Sequence, residues 1–184
     1  PSRGLGDVYK RQLSTPSSAL GSCRYKIADP DVDDADYKRI LEIFQKYNVR
    51  YFFYNGGNDS MDTCSKINQL SLKEGLDIRV IGIPKTIDND LNITDHSPGY
   101  GSAARYAAIS SAELALDAAA LPIHVVIMEL MGRNAGWITA ASAMASRLTN
   151  CNQLVYLPEV TVDMDKMLAD IENMYAEGKE LLVT

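Results

Sequence analysis

Two kinds of apolar pattern alternate along this chain. Apolar residues recur every three or four positions, the spacing of an amphipathic helix, in residues 33–47, 60–74, 98–120, 135–148 and 163–177. Short apolar runs typical of buried strands lie between or beside them, at residues 50–54, 79–83, 122–130, 153–157 and 180–183. The alternation predicts an α/β protein of three layers, a parallel sheet with helices on both faces.

The two ends depart from this pattern. Residues 1–12 are polar and aperiodic, and we expect them to be non-native or disordered. A Ser/Pro/Thr-rich loop follows at residues 13–21. The last apolar run stops with the chain, so we expect the sequence to be a fragment whose own activity is lost.

Composition narrows the range of functions. The net charge of −6 argues against nucleic-acid and membrane partners, although a few local cations can still hold a phosphate. No apolar run approaches the ~20 residues of a membrane helix. The cysteines Cys23, Cys64 and Cys151 are widely spaced, which predicts neither structural zinc nor disulfides. A reducing cytoplasm is the expected location.

Three polar segments follow predicted strands. We call residues 55–60 the glycine loop, residues 84–90 the aspartate loop and residues 129–136 the arginine loop. The carboxyl ends of parallel strands lie at one edge of a sheet, and ligands of open α/β sheets bind there. We therefore expect the three loops to form one site.

The glycine loop contains Gly56, Gly57, Asn58, Asp59 and Ser60. Its two glycines let backbone N–H groups approach an anion, and the helix that follows adds its positive N-terminal end. An ordinary strand-to-helix turn, with Asp59 or Ser60 as a helix cap, would explain the same residues. Both interpretations stay open from this loop alone.

The aspartate loop gathers Lys85, Thr86, Asp88 and Asp90 directly after a predicted strand. In an extended loop the two aspartates would face similar directions, so one could accept a hydroxyl proton while the other supports Mg²⁺. Lys85 could hold a phosphate. A solvated turn is the alternative, but the position after a buried strand favours a functional loop.

The arginine loop places Arg133 where the next predicted helix begins. A cation opposes the dipole at that end, which favours a bound anion, although an arginine without a ligand is the alternative.

Together these segments resemble the phosphofructokinases, and most of all their pyrophosphate-dependent branch. The three loops occur in that family's order and spacing, and residues 20–24 resemble its Gly-Ser-x-Arg segment. The resemblance covers roughly residues 13–184. A glycine loop alone would also suit NAD kinases and diacylglycerol kinases, but those lack the Thr-Ile-Asp-Asn-Asp sequence.

The resemblance implies a glycolytic phosphotransferase that moves phosphate from pyrophosphate to the 1-hydroxyl of fructose 6-phosphate with Mg²⁺. Asp88 matches the base that takes the hydroxyl proton. Thr86 and Asp90 match its companions around the phosphates, the metal and the substrate, and Arg24 matches a cation on the transferred group.

Further matches concern the sugar and the metal. Met131, Gly132 and Arg133 match contacts to fructose 6-phosphate. His124 stands where many members carry an arginine that reaches the neighbouring subunit's sugar phosphate, so a homo-oligomer is implied. Asn58 replaces the usual Mg²⁺-binding aspartate, and its neighbour Asp59 could supply the missing charge.

The resemblance also bears on the phosphate donor. ATP-using members usually have glycine at the positions of Lys85 and Asp59. A longer cation and an added carboxylate would shrink and recharge a nucleotide pocket, so both residues indicate pyrophosphate.

The resemblance divides the chain into residues 13–95, part of the phosphate-donor half, and residues 96–184, part of the sugar half. Three other interpretations remain: an ATP-dependent phosphofructokinase, a non-catalytic paralogue suggested by Asn58, and a generic nucleotide-binding module.

Overall fold

The computed structural model describes residues 10–16, 18–19, 21–22, 24–122 and 124–184. The expectations for residues 1–9, and those that involve Leu20, Cys23 and Ile123, lie outside the described residues. Residues 10–12 are helical, where the polar pattern predicted no element.

Helices and strands alternate along the remainder of the chain, as the apolar pattern predicted. The helices are α1 (Ala35–Lys46), α2 (Asn58–Lys73), α3 (Tyr100–Ala120), α4 (Trp137–Ser142), α5 (Met144–Thr149) and α6 (Met164–Ala176). The strands are β1 (Tyr51–Gly56), β2 (Arg79–Pro84), β3 (Val125–Ile127), β4 (Asn152–Leu154) and β5 (Leu181–Val183).

All the described strand pairs are parallel, which confirms the α/β class. The strands form two sheets rather than one: β1 pairs with β2, and the second sheet has the order β3-β5-β4. In the first sheet the pairing runs in register from Tyr51 with Arg79 to Gly56 with Pro84. The last residues of β1 and β2 are therefore direct neighbours.

The first core lies between α1, α2 and one face of the first sheet. Tyr37, Leu41 and Phe44, spaced for one face of α1, pack with Ile67 of α2 and with Ile78. The sheet contributes Phe52 of β1 and Val80 of β2 to this core, and the residues on either side of each are exposed. The exposed apolar side chains of the two strands are those of Tyr51, Phe53, Ile81 and Ile83.

The second core uses small residues. Ala112 and Ala115 of α3 and Ala145 of α5 pack against Leu182 of β5. Because alanine side chains are short, the long helix α3 lies close to α4, α5 and the sheet. Helix α6 also contacts β5, so the residues of this central strand are all buried.

The boundaries differ from the predicted ones where local geometry intervenes. The helix predicted at residues 135–148 is two helices that meet at Ala143. Helix α3 begins only after Gly99, whose φ of 89° interrupts the helical pattern. The long strand predicted at residues 122–130 is limited to Val125–Ile127. Among the described helices, none has the length and apolarity that crossing a bilayer requires.

Replacing a core residue of α2 tests the first cluster. Ile67 is 2% exposed, so Ile67→Ala should lower the free energy of unfolding by about 3 kcal/mol through lost burial and a cavity. Leu72 lies on the same helix at 65% exposure, so Leu72→Ala should cost about 0.5 kcal/mol or less. Urea denaturation followed by circular dichroism measures both, and equal losses would contradict this packing.

Candidate active site

The glycine and aspartate loops leave the first sheet side by side. The backbone N–H of Lys85 donates to the Gly56 carbonyl at 2.9 Å, one step beyond the last strand pair. A Cβ on Gly57 would lie 3.8 Å from the Lys85 carbonyl oxygen, so the two backbones are in contact. The register of β1 and β2 thus brings the two predicted loops together.

The glycine loop turns directly into α2. The N–H groups of Ser60 and Met61 donate to the Gly57 carbonyl at 3.0 and 3.1 Å, so the helix begins within the loop. A Cβ on Gly56 would overlap the hydroxyl and Cβ of Ser60, so this position requires glycine while Ser60 stands there. The first N–H groups of such a helix have no intrahelical acceptor, which suits an anion.

Asn58 and Asp90 join the two loops through their side chains. The Asn58 amide Nδ2 donates to Asp90 Oδ2 at 2.9 Å. The other carboxylate oxygen, Asp90 Oδ1, is buried and has no hydrogen-bond partner in the described part of the chain. A desolvated carboxylate oxygen without a donor is costly, and a cation at this point would satisfy it.

Within the aspartate loop, Thr86 and Asp88 are held by a local turn. The Asp88 N–H donates to Thr86 Oγ1 at 3.0 Å, and both residues are half-buried. The loop is not extended between the two aspartates, because Asn89 has a φ of 59°. The simple argument that Asp88 and Asp90 face the same way therefore does not apply. Asp90 instead turns to Asn58.

The arginine loop is shaped by two glycines. Gly132 has a φ of 133°, and a Cβ there would overlap the Ala135 carbonyl oxygen. The Gly136 N–H donates to Glu159 Oε1 at 2.7 Å. Gly132 also lines a cavity of about 430 Å³ with residues that follow β4, including Leu157 and Pro158.

The arginine loop approaches the aspartate loop through the residue that follows it. Trp137 lines a second cavity, of about 450 Å³, with residues 89–95. The side chains of Met131 and Arg133 are exposed. Among the described hydrogen bonds and ion pairs, none joins Arg133 to the aspartate loop.

Two other predicted residues make no side-chain hydrogen bond or ion pair to this cluster in the described part of the chain. Arg24 is exposed in the segment before α1. His124 precedes β3 and its carbonyl accepts from the Leu181 N–H at 2.8 Å, at the amino end of the second sheet. Its ring packs edge-on against Tyr175. A role for His124 in this site would need a second copy of the chain.

Sequence reasoning missed two residues. Glu159 follows β4 and holds the arginine loop through Gly136, and its only sequence signal is an acidic residue after a strand and a proline. Asn89 is buried between the two aspartates and bonds across the loop. Asn89 was not among the predicted site residues, although asparagine is a common residue at positive φ.

Cys64 is a buried core residue rather than a surface nucleophile. It is 7% exposed on α2, and burial raises the pKa of its thiol. A raised pKa keeps the group protonated and unreactive.

Known proteins resemble this chain in sequence and in fold. The family model described as Phosphofructokinase matches residues 6–184. The chain belongs to the phosphofructokinase family. This confirms the family that the three loops indicated.

Relatives within the phosphofructokinase family differ in their donors. A "Pyrophosphate--fructose 6-phosphate 1-phosphotransferase" of Halomonas elongata is 48% identical over 86% of this chain and 39% of its own length. An "ATP-dependent 6-phosphofructokinase" of Amycolatopsis methanolica is 38% identical over 82% of the chain and 32% of its own length. This chain thus spans less than half the length of these curated relatives.

A solved structure gives the same result for the fold. The pyrophosphate-dependent phosphofructokinase of Nitrosospira multiformis superposes with a TM-score of 0.75 at 41% identity. The superposition covers 96% of this chain and 45% of that one. The phosphofructokinase-like fold is therefore confirmed.

The packing of Ser60 on Gly56 can be tested by a double-mutant cycle. Gly56→Ala should destabilise the protein by about 1–3 kcal/mol, because the new Cβ overlaps Ser60. Adding Ser60→Gly should remove most of that cost. The double variant should therefore be nearly as stable as the Ser60→Gly single variant. Gly57→Ala is the matched control, since its Cβ meets an ordinary 3.8 Å contact and should cost clearly less. Thermal unfolding measures all four variants, and additive effects of Gly56→Ala and Ser60→Gly would contradict the overlap.

Proposed function

We propose that this chain forms part of a phosphotransferase that moves a phosphoryl group from pyrophosphate to the 1-hydroxyl of fructose 6-phosphate. The observation that carries the proposal is the contact between the glycine and aspartate loops, through Lys85 with Gly56 and Asn58 with Asp90. It puts a phosphate-binding turn beside a carboxylate loop. The Halomonas elongata relative, which is named for this reaction, supports the proposal.

The arrangement supplies the elements that phosphoryl transfer needs. The glycine loop and the start of α2 offer backbone N–H groups and a positive dipole for phosphate oxygens. Lys85 adds a mobile cation at the end of β2. Asp88, half-buried at the base of the same loop, is our candidate for accepting the hydroxyl proton. Thr86 fixes the turn that carries it.

Mg²⁺ fits the side chains present, and we propose it as the cofactor. It is usually bound by one or two carboxylates together with substrate phosphates and water. Asp90 offers the unpartnered oxygen Oδ1, and Asn58 and Asp59 adjoin it through the Asn58–Asp90 hydrogen bond and the first turn of α2. In the described part of the chain no cluster of three or more His, Cys, Asp or Glu could hold a metal by itself. A bound Mg²⁺ would neutralise charge on the phosphates.

The sugar would bind on the arginine-loop side. Gly132 gives the backbone close access to the cavity beside β4. Met131 and Arg133 have exposed side chains on the same loop, and Arg24 is proposed to reach the transferred group. His124 is proposed to act from a neighbouring copy in a homo-oligomer. We further propose that the enzyme works in cytoplasmic glycolysis.

ATP is the second candidate donor, favoured by the 38% identity to the Amycolatopsis methanolica relative. Lys85 and Asp59 argue against it. Both are exposed, Asp59 in the first turn of α2 and Lys85 near the start of the aspartate loop, where a carboxylate and a bulky cation oppose a nucleotide.

The reaction can be assayed in a chimera, since the chain spans only 39% of the Halomonas elongata relative. The matching segment of that relative would be replaced by residues 13–184 of this chain. Turnover of fructose 6-phosphate with pyrophosphate and Mg²⁺, exceeding that with ATP, is the expected result. A folded chimera that turns over neither donor, beside an active parent, would contradict the proposal. Preference for ATP would establish the alternative.

Asp88→Asn tests the proposed base. Loss of the proton acceptor should lower kcat by a factor of about 10²–10⁴ and leave KM for fructose 6-phosphate within about threefold. The matched control is Asp95→Asn, which neutralises an exposed carboxylate farther along the same segment and should leave kcat unchanged. Steady-state kinetics in the chimera measures both variants. Equal losses of kcat and sugar binding in Asp88→Asn would argue against a base.

Lys85 and Asp59 can be tested as determinants of the donor. The double variant Lys85→Gly with Asp59→Gly should move the ratio of kcat/KM for pyrophosphate over ATP toward ATP by about tenfold or more. Lys85→Met and Asp59→Asn keep most of the side-chain volume and remove the charge. They therefore separate the effect of volume on the donor preference from the effect of charge. An unchanged ratio in the double variant would refute the donor assignment.

A further inference from the structure

We propose that Asn89 is a positioning residue that sets the aspartate loop against the start of α3. The proposal rests on the proposed function, because the residues that Asn89 would position are Asp88 and Asp90. Asn89 itself is 7% exposed and directs its amide into the loop rather than toward a substrate.

The contacts of Asn89 form a closed unit. Its Oδ1 accepts from the Ser97 N–H at 2.7 Å, and its Nδ2 donates to the Asp95 carbonyl at 3.1 Å. We call these three residues the Asn89 clasp. The clasp joins Asn89 to Ser97, eight positions along the chain, and uses both the donor and the acceptor of the side-chain amide.

The clasp is continuous with a major helix. The Ser97 carbonyl accepts from the Tyr100 N–H at 3.1 Å, at the first residue of α3. Gly99 packs nearby, where a Cβ would lie 3.2 Å from the Ile87 side chain. The aspartate loop is therefore fixed at one end by β2 and at the other by α3, which packs on the second sheet.

The backbone at Asn89 explains why the clasp bears on the two aspartates. Asn89 has a φ of 59°, a left-handed conformation that the side-chain hydrogen bonds help to hold. A change in φ at this residue would rotate Asp90 relative to Asp88. The Asn58–Asp90 bond of 2.9 Å leaves little freedom for such a rotation.

Asn89→Gly is the informative variant, because glycine adopts the left-handed conformation without strain while both side-chain hydrogen bonds of the clasp are lost. In the active chimera we expect kcat to fall about tenfold or more, with KM for fructose 6-phosphate within about threefold. Ser97→Ala is the first control. It keeps the backbone N–H of the clasp and removes a buried hydroxyl that has no partner among the described residues, so kcat should not change. Asn92→Gly replaces an exposed asparagine between Asn89 and Ser97 and controls for added backbone freedom.

A merely structural role predicts another result. In that case Asn89→Gly would lower the melting temperature and leave kcat of the folded enzyme unchanged, which would overturn the proposal. The proposal would also be overturned if Asn89→Gly and Asn92→Gly lowered kcat equally.

Hydrogen exchange at the Ser97 amide separates this inference from the proposed function. The amide should be protected in the unaltered protein and lose protection in Asn89→Gly, whether or not any turnover is detected. An inactive chimera would contradict the proposed function alone. Equal exchange rates of the Ser97 amide in the two proteins would show that the clasp does not form and would overturn this inference.

Discussion

The parallel pairing of β1 with β2 is the constraint on which the candidate site depends. Gly56 lies opposite Pro84, and the next hydrogen bond, from Lys85 to Gly56, already belongs to the loops. A register shift of one residue would reverse the faces of all side chains on the shifted strand, moving Phe52 or Val80 out of the first core. The packing of that core therefore fixes where the two loops meet, independently of any polar contact between them.

The Asn58–Asp90 bond determines the electrostatics of the meeting point. A neutral amide can donate to Asp90, whereas a carboxylate at position 58 would face a like charge about 3 Å away unless a cation or proton lay between them. Asn58 therefore stabilises the pair without a metal. The other carboxylate oxygen, Asp90 Oδ1, is buried and lacks a donor among the described residues, so a cation bound there would stabilise the site.

The sequence was sufficient for the order of elements and for the two loops of the first sheet, because buried strands and glycine breaks are local signals. It did not reveal that the strands form two sheets, since pairing depends on contacts distant in sequence. The same limit applies to Glu159, which lies 23 residues from its partner Gly136. The conformation of Asn89 was missed for another reason: an extended loop was assumed where a positive φ occurs.

Small residues allow the elements of the two cores to lie close together. Gly99 permits contact with Ile87, and the alanines of α3 allow that helix to lie against α5 and β5. The aspartate loop is thus attached to two cores, through β2 on one side and through Ser97 and α3 on the other. Transfer between two substrates requires reacting groups held within a fraction of an ångström. A loop fixed at both ends by packed elements meets that requirement better than one fixed by a single strand, because it cannot hinge about one end.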